Sequence, residues 1–154
     1  MPSIEVICVD QIEPICFTGL PFQVEAGKEL ISHRSPYPLF QSDFNELKGC
    51  IYHLLEEEGI TAYELLKRDW YDDHGNSNGL EDNLEFVEEV APYVHSILEI
   101  LSKSSPVKQL LFTSDYQFGP KPAKRFAPIP FSKFWELHDT GKIRMNAAYL
   151  ITAS

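Results

Sequence analysis

Between Glu81 and Lys103 the chain carries its most constraining pattern. On a helical wheel, Leu84, Phe86, Val87, Val90, Ala91, Tyr93, Val94, Ile97, Leu98, Ile100 and Leu101 fill one half. Glu85, Glu88, Glu89, Pro92, His95, Ser96 and Glu99 fill the other. A stripe of this width predicts a helix that must bury one side against something larger than itself. Pro92 falls within the polar half, where water can satisfy the carbonyl that a proline frees. The unbroken apolar phase therefore predicts one helix over 82–103, kinked at Pro92, in preference to a second helix opened by that proline.

The flanking segments supply the remaining elements. Ile4 to Val9 and Ile12 to Phe17 are rich in β-branched residues and predict strands at 4–9 and 12–17, the second bulged or at an edge because of Pro14. Residues 19–41 contain two glycines and three prolines and predict a long loop that can include a short strand around Phe22–Val24. Asp43 and Glu46 form a capping box, and Phe44, Leu47, Ile51, Leu54 and Leu55 follow at helical spacing, so a helix is expected over 43–58 with His53 on its exposed side. A second box at Thr61 and Glu64 predicts a helix over 62–72. Leu110, Leu111 and Phe112 predict a strand over 107–113, followed by a proline-rich irregular connection over 114–130. Ser132 can cap a helix over 132–140, and the alternation from Ile143 to Ile151 predicts a strand over 142–152. The expected fold is one α+β domain spanning 1–154: a small mixed or antiparallel sheet with three to four helices packed on it.

Charge separates along the chain. Of 23 acidic and 13 basic residues giving −10 overall, residues 1–52 hold 7 and 3, residues 53–105 hold 13 and 3, and residues 106–154 hold 3 and 7. The acidic middle repels duplex nucleic acid and anionic membranes, and the basic last third weakens that exclusion locally. Glu5, Asp10 and Glu13 interrupt the first apolar stretch, which disfavours a secretory signal, and no apolar run is long enough to span a bilayer. A cytoplasmic location is the expectation. Cys8, Cys16 and Cys50 are odd in number and lack C-x-x-C spacing, so packed thiols are expected, with neither a disulfide framework nor a zinc site.

No phosphate loop, dinucleotide fingerprint or nucleophile elbow is present, so no cofactor and no metal are implied. Three sets of residues carry what chemistry there is. Asp72, Asp73 and His74 could share acid and base roles or hold a hard cation in a small hydrolase or metal-dependent enzyme, although adjacent residues seldom aim at one ion. Lys121, Lys124 and Arg125, within the 119–126 loop beside Phe118 and Phe126, suit an anion or nucleotide. Glu85, Glu88, Glu89 and Glu99 present acid along one helical surface. The function expected first is a small acidic protein-interaction module, such as a regulator, inhibitor or immunity-type protein, that binds a basic protein partner or associates with itself. His95, with Glu88 and Glu99 on the same side, reads as a surface ion pair, and His138–Asp139 as the cationic end of a helix.

Overall fold

A computed structural model describes residues 2–27, 49–55, 83–116, 124–144 and 147–153. Its centre is a six-stranded mixed sheet. In chain order the elements are β1 (Pro2–Val9), β2 (Gln23–Gly27), β3 (Gly49–Leu55), β4 (Asn83–Leu84), α1 (Ala91–Ser104), β5 (Gln109–Tyr116), β6 (Lys124–Pro130), α2 (Phe131–Asp139), β7 (Ile143–Arg144) and β8 (Ala147–Thr152). The sheet runs β2-β3-β1-β5-β8-β6, and β4 and β7 form a separate two-stranded ladder. All sheet pairings are antiparallel except β6 with β8, the parallel pair that α2 connects.

This architecture corrects the expected three to four helices on a small sheet: two helices stand among the described residues, and the sheet dominates. The largest difference is at 49–55, inside the expected 43–58 helix. Cys50, Tyr52 and Leu54 are buried while Ile51 and His53 are half-buried, a period of two. β3 pairs on both sides, with β1 and with β2, and that pairing outweighs the helical spacing of Ile51, Leu54 and Leu55. Gly49 permits the approach. Its φ is +150°, and a Cβ placed there would lie 1.9 Å from the Cys8 carbonyl oxygen. Residues 43–48, 56–58 and 62–72 lie outside the described residues.

The expected 82–103 helix is also shorter. Residues 83–84 are strand, and the helix begins at Ala91, with Pro92 in its first turn, where a missing N–H costs nothing. Pro92 therefore opens α1 and does not kink it. Val94, Ile97, Leu98 and Leu101 are buried against the sheet, while Tyr93 and Ile100 remain 43% and 46% exposed. Residues 12–17 form no strand. Instead the Tyr52 hydroxyl accepts the Ile15 N–H at 2.8 Å and donates to Gln11 Oε1 at 2.6 Å, clipping the segment onto β3. Residues 124–130, expected to be irregular, form edge strand β6, with Pro128 inside a register shift between Phe126 and Ile129 and Pro130 at the strand's end. The strand expected over 107–113 runs from Gln109 to Tyr116, and that expected over 142–152 is two strands, β7 and β8. α2 begins one residue before the expected 132, with Pro130 at its N-cap and no capping bond from Ser132.

Both helices lie on the face that carries Ile4, Val6, Cys8, Tyr52, Phe112, Tyr149 and Ile151. Burying each large apolar side chain there contributes about 1.5–3 kcal/mol. Ser105 Oγ fastens the end of α1 to β1 by donating to the Val9 carbonyl at 2.7 Å. The β4–β7 ladder, with Asn83 opposite Arg144 and Leu84 opposite Ile143, ties the approach to α1 to the exit from α2. It thereby sets the two helices beside one another. Among the described residues no helix is long and apolar enough to cross a membrane.

Candidate functional site

Two short segments meet where the β4–β7 ladder holds them. One is the turn Glu88–Val90, in which the Val90 and Ala91 amides both donate to the Val87 carbonyl (3.0 and 2.9 Å) before α1 begins. The other is the side of α2 along which Phe131, Trp135 and His138 follow at helical spacing. His95, one turn into α1, packs edge-on against Phe131 and Trp135, each with its ring centroid 4.9 Å away. Trp135 in turn stacks on His138 at 4.2 Å and 19°. The indole is braced between two imidazoles.

His138 fixes this corner. Its side chain is 5% exposed, and its Nε2 accepts the Phe86 backbone N–H at 3.0 Å. The ring proton is therefore on Nδ1, which donates to Asp139 Oδ1 at 3.2 Å. The expectation of a cationic imidazole at an open helix end is corrected. This is a buried ring that joins the β4 segment to α2 and orients a carboxylate that is itself 64% exposed.

Between the helices lies an open groove of about 520 Å³. Ala91, Pro92 and Trp135 give it an apolar floor, Glu88 and Asp139 bring carboxylates, and His95 and Ser96 complete the wall. Among the described residues no lysine or arginine lines it. The nearest cation on α2, Lys133, is paired with Glu136 at 3.6 Å on the exposed side. Such a groove can hold a cationic head with an aliphatic stem, because the floor takes the methylenes and the rim takes the charge.

Of the four glutamates singled out in the sequence, only Glu88 lines the groove. Glu89 is exposed in the same turn, Glu99 is half-buried further along α1, and half-buried Glu85 lies with its Oε1 near Gly141. His95 stands against aromatic rings, not in a simple surface ion pair. Asp72, Asp73, His74 and Lys121 lie outside the described residues. Lys124 and Arg125 open β6, paired along the backbone with Ala147 and Ala148. Trp135 was not singled out, and Asp139 was named only beside His138 as the end of a helix. Their i, i+4 spacing on α2 is the signal that marks them, but it acquires meaning only once α1 is known to pack alongside.

Two other groupings bear on chemistry. On the sheet face away from the helices, strand register sets Glu25, His53, Glu5 and Thr113 in one row, and Glu5 is only 7% exposed. His53 thus sits mid-strand and half-buried, not on the exposed side of a helix. Among the described residues no three His, Cys, Asp or Glu side chains group as metal ligands. The thiols are free, but Cys16 is exposed where packing was expected. Cys8 donates to the Leu101 carbonyl at 3.2 Å and Cys50 to the Gln11 carbonyl at 3.4 Å. Burial pushes the Cys8 thiol up, away from the thiolate that a nucleophile needs.

Comparison of the chain with models of known families, with curated proteins and with solved structures gives no match.

Proposed function

We propose that the chain is a protein-interaction module that takes a basic side chain of a cytoplasmic partner protein in the groove between α1 and α2. One observation carries this reading: Glu88 and Asp139 border an apolar floor of Ala91, Pro92 and Trp135, and among the described residues no lysine or arginine lines the same groove. The free thiols accord with a reducing compartment. Glu89 and the further acidic residues of the middle third enlarge the negative field, which speeds encounter with a basic surface more than it tightens the complex.

Each rim ion pair is exposed and contributes ~0–1 kcal/mol, so a single inserted side chain binds weakly and the partner must add contacts outside the groove. The test is titration of a lysine- and arginine-containing peptide against the intact chain and two charge-reversal variants. Glu88→Lys combined with Asp139→Lys should abolish binding, and Glu99→Lys, outside the groove, should reduce it only modestly at low salt. Equal losses from both variants would mean that diffuse charge, not the groove, holds the peptide.

A further inference from the structure

Resting on that reading, we propose that the groove is selective for arginine: one arginine of the partner lays its methylenes along Pro92 and Trp135 and bridges Glu88 and Asp139 with its guanidinium. The two carboxylates belong to different elements, the turn before α1 and the last residue of α2. A ligand that serves both needs donors pointing in more than one direction within one plane. A guanidinium has five such donors, whereas an ammonium is a compact point charge that keeps its water.

The floor strengthens the same choice. Proline and indole offer no acceptor to replace lost hydration, so a weakly hydrated planar cation is less penalised above them than a strongly hydrated one. One of the two acceptors is also held in place. His138 Nδ1–H occupies one Asp139 oxygen at 3.2 Å, and that ring is fixed by the Phe86 amide and by stacking on Trp135. A carboxylate oriented in this way favours a ligand of fixed fork geometry over a freely rotating one.

Three capped pentapeptides test this, glycine at every position except a central arginine, lysine or citrulline, each titrated into the intact chain. The readouts are the NMR shifts of the Trp135 indole N–H and of the Ala91, His95 and Ser96 amides. The arginine peptide is expected to bind ~5-fold more tightly than the lysine peptide, and citrulline, the uncharged isostere, more weakly still by a similar factor. Asp139→Asn, a change at an exposed side chain, should bring the arginine and lysine affinities together. Lysine binding as tightly as arginine, with shifts confined to the groove, would overturn the selectivity and leave the basic-partner reading standing. Citrulline equal to arginine would overturn both, because charge would not be what is read. No groove shifts with any of the three would also overturn both.

Discussion

Replacing His138 by phenylalanine isolates the contact on which the groove depends. The ring would keep its place between Trp135 and Phe86, whose centroids lie 4.2 and 5.6 Å from the imidazole, so most of the stacking energy is retained. The Nε2 acceptor would be lost. Phe86 is 1% exposed, and its N–H, now bonded to Nε2 at 3.0 Å, would be left without that acceptor in a dry site. Such an orphaned group costs about 1–3 kcal/mol, and the exposed Asp139 loses less. Taking ~2 kcal/mol, the thermal midpoint should fall by roughly 4–8 °C for a domain of this size. Exchange of the Phe86 amide should quicken by about 30-fold where local opening governs it. His138→Ala should cost ~2 kcal/mol more because the ring contacts vanish and a cavity opens. Urea denaturation with hydrogen exchange reads both quantities. A phenylalanine variant within ~0.5 kcal/mol of the parent, with the Phe86 amide still slow, would refute the assignment of that acceptor.

Further outcomes follow from the same geometry. Burial pushes the Tyr52 phenol up to about 12. A group whose pKa is higher folded than unfolded contributes fully below its unfolded value near ~10 and loses that contribution as pH rises towards 12, so stability should fall by on the order of 2–3 kcal/mol across that window. The excess loss over Tyr52→Phe in alkaline urea titrations measures it, and that variant should be ~1 kcal/mol less stable at neutral pH because the Ile15 N–H loses its acceptor. Gly49→Ala should cost about 3 kcal/mol or more, since its Cβ would meet the Cys8 carbonyl, and a variant within ~1 kcal/mol of the parent by denaturation would show that β1 and β3 can part without strain. Alkylation of the native chain should modify Cys16 first, with Cys8 and Cys50 reacting only as the protein unfolds, and mass spectrometry of labelled peptides distinguishes these orders.

Segments whose pattern and pairing agree were open to reading along the chain. The β-branched run Ile4–Val9 and the run Leu110–Phe112 marked strands, and the amphipathic residues of α2 marked a helix within a residue of its start. Elsewhere the pattern was ambiguous. In β3, Ile51, Leu54 and Leu55 satisfy helical spacing while Cys50, Tyr52 and Leu54 satisfy alternation, and only partners on both sides decide between them. Leu84 and Phe86 fit the phase of the α1 stripe, yet the β4–β7 ladder and the His138 bond claim them, which leaves Pro92 to start the helix. The groove was half legible. Glu88 stood out by its charge, whereas Asp139 and Trp135 gain their role from a neighbour more than forty positions away in sequence.

The most direct test of the groove's role is the position of a bound cation. In intermolecular NOE spectra of the intact chain with an isotope-labelled arginine peptide, the arginine δ-methylene protons should contact the Trp135 indole and Pro92 ring protons. Contacts confined to other surfaces, with none to α1 or α2, would contradict the account.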